Sequence, residues 1–596
     1  MAPQLTDVLL AQKVLDIVAV LQLRGINVPE GRQRPRCLPP LPHRFQLPVD
    51  AFSELVGAVI VLVVADRHGQ QNSLSGLPVT LCQTTALDFA PRVPHLTSVT
   101  VMNHSWGGTL PNAHPHTEPG LTPAVTHDAV VIVPGIMGSE LYDTTTGNVI
   151  WGLANGRWLA KAWLSRDGLT PLQLTPDELA GDHSRIQARR LLQTPAWSPF
   201  LRGIEPYHKL VRTIENTVAH RQAVMTFPYD WRLPTAVNAR RLAQEARSHL
   251  QRWLAHPAHA AARQQAVDER PARLVFIAHS MGGLVTYAAL TLGGDNDLPS
   301  DTRGVMTLGT PFKGSVVAAN ILNAIQGAPL PLPHSRLARA AATMPAVHEL
   351  LPRFLCLEDG LDVRHLAPAD VANLGGDKDL AKASEDFFTT LYTQSLPRQR
   401  PVVGIRQDTV QSMKLIDGIV QASEYCFRTD TDGEVKRDPN GAPRRYPVWG
   451  DGTVHRESAS LNRRTIPVFA QHGAIASGRE ACRIVSDFLL EDDHLGPDQA
   501  EDGIGLSVPD YVNPDAAWEC TVSGTDDPSQ VECSIAATEG DWHKNVELEP
   551  TDDDRLRAKI TLPDMGLYRL TAKTDFGPTV TQLVFAGSDS QDHVEE

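Results

Sequence analysis

Short apolar runs and longer amphipathic stretches alternate along the middle of the chain. The runs are rich in β-branched residues and are too short for core helices, so they predict buried strands. Residues 236–254 instead place apolar side chains at helical spacing, and residues 281–290 predict a second helix. The predicted strands are AVVIVPG (129–135), the start of QAVMTFPYDW (222–231), RLVFIA (273–278), GVMTLG (304–309), RPVVGIR (400–406) and TIPVFA (465–470).

This alternation predicts the fold class of residues 128–492. Strands that alternate with helices form a mostly parallel sheet covered on both faces, which is an α/β fold. A last helix is predicted at about 478–490, where Ser477 and Glu480 have the spacing of a capping box. The stretches at about 151–205 and 315–398 interrupt the rhythm, and we interpret them as cap insertions.

The flanking regions have different textures. Residues 1–103 mix helical and strand-like patterns and predict an N-terminal α/β region of unassigned role. Residues 104–127 are rich in Pro, Gly, Thr and His and predict a linker. Residues 503–596 contain short strand candidates separated by turn residues, which predicts an antiparallel, β-sandwich-like domain.

Charge is concentrated at the C-terminal end. The net charge is −15, and the residues from Glu491 onward include 25 Asp and Glu but only 6 Lys and Arg. The rest of the chain is nearly neutral and has no footprint for nucleic acid. The 7 cysteines form no CxxC pair, which argues against a zinc cluster, although Cys520 and Cys533 could pair within the tail. No signal peptide or membrane-spanning segment is visible, so we expect a cytoplasmic protein.

One serine lies where a predicted strand meets a predicted helix, in LVFIAHSMGGLVTY (274–287). A sharp strand-to-helix turn lifts a serine hydroxyl above a sheet, but it brings the backbone before and after the serine into contact. Ala278 and Gly282 are small enough for this turn, because one methyl group is tolerated at the first position. The pattern indicates that Ser280 is a nucleophile whose hydroxyl projects from this turn above the sheet.

A nucleophilic serine needs a base and an acid that orients it. His472 follows the last predicted strand and is the candidate base, with His455 as the alternative. Asp451, between two glycines, is the candidate acid, and Asp408 after RPVVGIR is its alternative. An oxyanion also needs two backbone N–H donors. The residue after the nucleophile, Met281, supplies one candidate, and Ile136 after the PG turn in VVIVPGIMGSEL supplies the other.

These motifs together resemble the lecithin:cholesterol acyltransferase-like family of α/β-hydrolases. The matching pieces cover about 128–490 in the family's order: VPGIMGSEL (133–141), FPYDWRL (227–233), IAHSMGG (277–283), LGTPFKGS (308–315), GDGTV (450–454) and QHG (471–473). The resemblance implies an α/β-hydrolase core with no metal or organic cofactor. It also implies that Ser280 is the nucleophile, Asp451 the acid and His472 the base, with the N–H groups of Ile136 and Met281 as oxyanion donors.

The resemblance further implies an acyl ester substrate of lipid type, whose acyl group passes to Ser280 and then to water or an alcohol. Two alternatives stay open: removal of a lipid anchor or cleavage of a small non-lipid ester, and an inactive hydrolase used as a binding scaffold. Trp151, Trp158 and Trp163 in the first cap are candidates for transient contact with a membrane surface. Protein partners of the flanking domains are not indicated.

Overall fold

The computed structural model describes residues 125–588 except 153–155, 166, 267–269, 293–296, 325–331, 393–394, 462, 493–502 and 575–578. The predicted N-terminal region at 1–103 and most of the predicted linker lie outside these residues. Within the described part, no helix combines the length and the apolar composition that crossing a bilayer requires.

A six-stranded parallel sheet forms the centre of the molecule. Each neighbouring pair of its strands is parallel, and the order across the sheet is β2-β1-β3-β4-β5-β6. Every residue of β1, β3 and β4 is buried, which explains why β1 is apolar throughout and β3 is apolar as far as Ala278. In β4 the buried residues also include Thr302, Arg303 and Thr307. The strands are β1 (Ala129–Val133), β2 (Val224–Thr226), β3 (Leu274–His279), β4 (Thr302–Leu308), β5 (Gln399–Gly404) and β6 (Ile466–Val468).

Helices pack around this sheet, and the mostly parallel α/β fold predicted from the alternation is confirmed. The longest helix, Thr235–Leu254, buries the apolar stripe that the sequence predicts, and Met281–Leu292 is buried over most of its length. The described helices are Gly156–Leu159, Pro176–Leu179, His208–Thr217, Thr235–Leu254, Pro257–Gln265, Met281–Leu292, Leu298–Asp301, Val316–Asn323, Leu332–Ala341, Pro345–Glu349, Pro368–Asn373, Lys378–Leu391, Arg456–Ser460 and Arg479–Leu489.

The predicted capping box on the last helix is wrong. Helix Arg479–Leu489 has Gly478 in extended conformation at its N-cap, without a side-chain cap. The Ser477 hydroxyl instead donates to the carbonyl of Ala474 at 3.0 Å, inside the tight turn His472–Ser477 that directly precedes the helix. The serine therefore belongs to the end of one helical turn and is not available to start the next.

The stretch that begins near residue 151 packs its tryptophans inward. Strand Ser139–Asp143 pairs antiparallel with Val149–Trp151 and with Ile186–Leu191. Trp151 and Trp163 are fully buried and meet edge to face, with ring centroids 6.2 Å apart, and the half-buried Trp158 packs on Trp151. The predicted membrane contact is therefore wrong for Trp151 and Trp163, because their rings form part of the core, whereas for the half-buried Trp158 it stays a prediction.

The second interrupting stretch places two helices, Val316–Asn323 and Leu332–Ala341, near the carboxyl edge of the central sheet. A separate small sheet has four strands, of which two precede β5 in the sequence and two follow it. Its strands, in sheet order, are Ile419–Ser423, Ser412–Ile416, Leu357–Asp359 and Asp362–Arg364.

The C-terminal region forms two further sheets, as the sequence predicts for a β-sandwich. Their strands alternate buried and exposed residues, and the buried set has a core of its own. Cys520 and Cys533 face this core from opposite sheets as free thiols. One sheet contains Gly505–Ser507, Trp518–Ser523, Arg555–Ile560 and Glu549–Pro550; the other contains Tyr511–Val512, Thr579–Ala586, Gly566–Thr574, Val531–Ala537 and His543–Asn545.

Candidate active site

The order of the strands creates a crevice at one point of the central sheet. From β1 the chain crosses to β2 at the edge, whereas from β3 it proceeds to β4, β5 and β6 on the other side. The loops that leave the neighbouring strands β1 and β3 therefore diverge, and a ligand can enter between them at the carboxyl ends. Ser280 follows β3 at this point.

Ser280 lies in a tight turn between β3 and helix Met281–Leu292. Its φ of 51° is in the left-handed region, which is unfavourable for a serine and typical of a strained functional turn. A Cβ on Gly282 would lie 2.3 Å from the Pro134 carbonyl, and one on Gly135 would lie 2.7 Å from the Ser280 Cβ. These positions therefore require glycine, whereas Ala278 is accommodated as the last but one residue of β3.

The structure brings Ser280, His472 and Asp451 into one hydrogen-bonded chain. The Ser280 hydroxyl lies 2.8 Å from His472 Nε2, and His472 Nδ1 lies 2.8 Å from Asp451 Oδ2. The Ser280 hydroxyl donates to Nε2 when the imidazole proton is on Nδ1, where it is donated to the carboxylate. All three side chains are buried, and the backbone N–H of His472 also donates to the Asp451 carbonyl at 2.8 Å.

The alternative acid and base lie elsewhere. Asp408 is half-buried, and its backbone carbonyl accepts a hydrogen bond from Arg202, while His472 pairs with Asp451. His455 is buried against the edge of the Phe354 ring, with centroids 4.7 Å apart. Burial, together with the nearby Lys313 charge, lowers the pKa of His455 to about 3, so this imidazole is neutral.

A second chain of buried hydrogen bonds connects the three loops of the site. The Gly135 N–H donates to the Tyr207 hydroxyl at 3.0 Å, and this hydroxyl donates to His279 Nδ1 at 2.8 Å. His279 Nε2 donates in turn to the His472 carbonyl at 3.0 Å. These hydrogen bonds fit a neutral His279, and burial, followed by the neighbouring His472, lowers the pKa of His279 to about 3.

Sequence reasoning missed this chain. His279 is adjacent to Ser280, and that position alone could have drawn attention to it. Tyr207 lies 72 residues away, in a segment without a local motif, and only the fold brings it to the site.

The loop after β1 is held by the FPYDWRL motif. The Tyr229 hydroxyl donates to the Pro134 carbonyl at 2.9 Å, and the Trp231 Nε1–H donates to the Ser139 carbonyl at 3.2 Å. Arg232 is fully buried between Asp230, with Nη2–Oδ2 at 2.7 Å, and Glu178, with Nη2–Oε1 at 2.8 Å. The motif thus braces this loop and contains a buried Asp–Arg pair.

The two candidate oxyanion donors lie on either side of the crevice. Ile136 lines the cavity beside Ser280, in the loop braced by Tyr229. Met281 is the first residue of its helix, where backbone N–H groups have no intrahelical acceptor. A helix N-terminus at this place favours negative charge.

An almost wholly apolar cavity opens beside the serine. The space between its lining atoms, including the part open to solvent, is about 760 Å³, of which about 50 Å³ can hold the centre of a water molecule. Helices Val316–Asn323 and Leu332–Ala341 contribute aliphatic side chains, and Leu201 and Ile204 contribute two more. The remaining lining residues are Ile136, Met137, His279, Ser280, Pro311, Ser315, Met344, Val347, Leu350, Thr453, Val454, His472 and Gly473. Across the described residues, no cluster of three His, Cys, Asp or Glu side chains could hold a metal ion.

The chain resembles known lipid esterases and acyltransferases. No curated protein matches it. Among solved structures it is similar to the Tle4–Tli4 complex, with 13% identity, a TM-score of 0.38 and coverage of 61% of this chain and 98% of that chain. It is also similar to the mature lipase BlEst2 of Bacillus licheniformis, with 12% identity, a TM-score of 0.28 and coverage of 62% and 96%.

These likenesses are too distant to carry an argument by themselves. The model of the lecithin:cholesterol acyltransferase family matches residues 198–390, which include the FPYDWRL, IAHSMGG and LGTPFKGS motifs. The match confirms that this chain resembles the lecithin:cholesterol acyltransferase family, as its motifs predict.

Proposed function

We propose that this protein is a serine esterase that acts on acyl esters of lipids, as a lipase, phospholipase or O-acyltransferase, through an acyl-enzyme on Ser280. The family match supports a lipid ester hydrolase or acyltransferase. The observation that carries the finer assignment is the hydrogen-bonded chain from Ser280 through His472 to Asp451 at the mouth of an apolar cavity.

Acylation begins when Ser280 Oγ attacks the ester carbonyl carbon. His472 Nε2 takes the hydroxyl proton as the Oγ–C bond forms, and Asp451 stabilises the resulting imidazolium through Nδ1–H. The tetrahedral intermediate then loses its alcohol, which receives the proton from His472 as the C–O bond breaks. The product of this half-reaction is an ester between the acyl group and Ser280.

The negative charge that develops on the carbonyl oxygen is stabilised by the N–H groups of Ile136 and Met281. The helix that begins at Met281 adds the positive end of its dipole. Both donors are on backbone that other residues hold rigid, so little reorganisation is needed when the charge appears. We therefore assign the oxyanion site to the loop after β1 together with the start of this helix.

The acyl chain occupies the apolar cavity, where its burial is favourable without any polar partner. In the second half-reaction, water or an alcohol is deprotonated by His472 and attacks the acyl-enzyme. Its oxygen takes the acyl group, and His472 returns the proton to Ser280. Hydrolysis and acyl transfer therefore use the same residues and differ only in the acceptor.

A fluorophosphonate probe tests this proposal directly. We expect covalent labelling of the purified wild-type protein, together with hydrolysis of short- and long-chain 4-nitrophenyl esters and of phospholipid vesicles. Ser280→Ala should abolish both labelling and hydrolysis. If neither wild type nor variant labels or hydrolyses an ester, the chain is a binding scaffold and the enzyme assignment fails.

The acceptor is resolved by a second measurement on the same protein. With phospholipid vesicles and a long-chain alcohol present together, a transferase forms the new ester, whereas a hydrolase releases free fatty acid. Cleavage restricted to short, soluble esters would replace the lipid assignment with the small-ester alternative.

A further inference from the structure

An aspartate of the C-terminal sandwich reaches into the hydrolase core. Asp510 lies between strands Gly505–Ser507 and Tyr511–Val512. Its carboxylate Oδ2 accepts the Phe200 N–H at 2.5 Å, and its backbone carbonyl accepts the Trp197 Nε1–H at 2.8 Å. Its other carboxylate oxygen, Oδ1, lies 3.5 Å from His334 Nε2.

The segment that Asp510 contacts is strained. Phe200 and Arg202 have φ values of 64° and 54°, in the left-handed region that non-glycine residues rarely adopt. Such a conformation persists only where the surroundings hold it. Both strained residues are held by the sandwich, because Asp510 accepts the Phe200 N–H and the Leu583 N–H donates to the Arg202 carbonyl at 3.3 Å.

The same segment forms part of the candidate active site. Leu201 lies between the two strained residues and Ile204 lies two residues after Arg202, and both line the apolar cavity. The Glu205 N–H donates to the carbonyl of Gly473, the residue after the proposed base, at 2.9 Å. Movement of the segment would therefore change the cavity wall.

The contact between Asp510 and His334 involves a second element that lines the cavity. His334 belongs to helix Leu332–Ala341, whose Leu337 and Ala341 line the cavity. The Phe200 ring packs edge to face on the His334 ring, with centroids 4.8 Å apart. One carboxylate thus connects two separate stretches of chain that both line the cavity.

The sandwich is itself fixed to the hydrolase, so Asp510 cannot simply swing away. Leu583 and Phe585 are buried in the hydrolase core and not in the sandwich core. Three buried glutamines, Gln407, Gln471 and Gln582, meet at the boundary. Gln471 Nε2 donates to the Leu506 carbonyl at 2.7 Å, and the Leu506 N–H donates to Gln407 Oε1 at 3.1 Å.

We propose that Asp510 is a positioning residue through which the C-terminal sandwich sets the shape of the acyl cavity and thereby its selectivity for acyl chain length. The proposal rests on the assignment of Ser280 as the nucleophile of an esterase. A long chain needs the wall formed by Leu201 and Ile204, whereas an acetyl group stays near Ser280 and does not reach most of it.

The test compares specificity constants for palmitoyl and acetyl 4-nitrophenyl esters. We expect Asp510→Ala to lower the palmitoyl-to-acetyl ratio of kcat/KM about tenfold, because it removes hydrogen bonds to a charged acceptor. The ratio does not depend on the fraction of folded enzyme, so loss of stability alone leaves it unchanged. Asp510→Asn keeps an acceptor for the Phe200 N–H and should restore most of the ratio.

Asp527→Ala is the matched control, because Asp527 is an exposed acid that caps a turn within the same sandwich. It should leave the ratio at its wild-type value. A wild-type ratio in Asp510→Ala, with labelling of Ser280 intact, would overturn the positioning role while the esterase assignment stands.

Hydrogen–deuterium exchange provides a measurement that does not depend on activity. Asp510→Ala should raise amide exchange in the peptide that contains residues 196–205, with exchange in β3 unchanged. Unchanged exchange in that peptide would also overturn the proposal. If the wild-type protein hydrolyses none of the esters, the esterase assignment fails. The exchange measurement alone then shows whether Asp510 positions residues 196–205.

Discussion

Tyr207 occupies a position where one hydroxyl serves two loops. It accepts the Gly135 N–H and donates to His279, which holds the His472 carbonyl. The loop after β1, the turn at Ser280 and the backbone of the candidate base His472 are therefore connected through one chain of buried hydrogen bonds. Removal of the hydroxyl would leave a buried donor and a buried acceptor unpaired, which costs about 1–3 kcal/mol for each group.

We expect Tyr207→Phe to lower kcat at least about tenfold with a smaller effect on KM, since the oxyanion donors are misplaced mainly when charge develops. The rate of fluorophosphonate labelling should fall in parallel. Tyr142→Phe is the matched control, because the Tyr142 hydroxyl bonds Gln187 at an exposed site. A Tyr207→Phe variant with wild-type kcat would show that the chain of hydrogen bonds has no part in turnover.

The buried side chain of His455, the alternative candidate base, predicts that stability depends on pH. Its pKa is lowered to about 3 in the folded protein by burial and by Lys313, against about 6.5 in the unfolded chain. Between pH 3 and pH 6.5 the unfolded state therefore binds one more proton at this group than the folded state does. The contribution of His455 to the free energy of unfolding is complete above about pH 6.5 and falls by about 1.4 kcal/mol for each pH unit below it.

His455→Gln should therefore flatten the fall in the urea midpoint between pH 7 and pH 5. The exposed His543, replaced in the same way, serves as the control and should leave the slope at its wild-type value. An unchanged slope in His455→Gln would contradict a neutral, buried imidazole at this position.

The turn around Asp451 distinguishes this residue from Asp408, the other candidate acid. Asp451 Oδ1 accepts the N–H groups of Thr453 and Val454 at 3.0 and 2.7 Å, so the turn itself orients the carboxylate toward His472. Asp408 leaves β5 earlier, and its carbonyl contacts Arg202. The conformation of this turn therefore favours Asp451 as the candidate acid, although Asp408 lies closer to the end of β5.

Asp451→Asn should lower kcat by about 10⁴-fold, because an amide cannot stabilise the imidazolium or keep its tautomer. Asp408→Asn should stay within a few-fold of wild type in the same ester assay. The reverse pattern would transfer the acid role to Asp408.

At the level of the entire chain, the boundary between hydrolase and sandwich is not a flexible junction. Phe585 belongs to a sandwich strand, yet its fully buried ring packs on Trp197, with centroids 4.9 Å apart, and on Tyr511. Arg569 of the sandwich also pairs with Glu205. The two parts therefore share apolar surface, which couples their stabilities.

Phe585→Ala should lower the free energy of unfolding by about 3–5 kcal/mol, and urea unfolding should stay a single transition when followed in both parts of the chain. Met565→Ala, at an exposed site of the same sandwich, is the control and should change little. A separate early transition of the sandwich in Phe585→Ala would contradict a shared core.

Much of the fold followed from local patterns. The runs that become β1, β3 and β4 are buried on both faces, so most of their side chains are apolar, and the short length of each run indicates a strand. The small residues around Ser280 follow from the steric demands of one turn. Asp451 and His472 follow from the rule that parallel strands present their loops at one edge.

The contacts between distant segments were beyond such reasoning. Trp151 and Trp163 are equally compatible with a lipid-facing cap and with a buried cluster, because an aromatic side chain satisfies both environments. Ser477 matched a cap by spacing, but the preceding turn uses its hydroxyl. The periodicity of apolar residues indicates which face of one helix or strand is buried. It does not indicate which other helix or strand packs against that face.

The sequence thus determines the sheet, the nucleophile elbow and the candidate acid and base, since each depends on residues close together in the chain or on the common edge of parallel strands. Tyr207, Asp510 and the lining of the cavity depend on how insertions and the C-terminal sandwich pack onto that sheet. Such packing is decided by shape and hydrogen-bond complementarity across dozens to hundreds of residues, which becomes visible only in the folded chain.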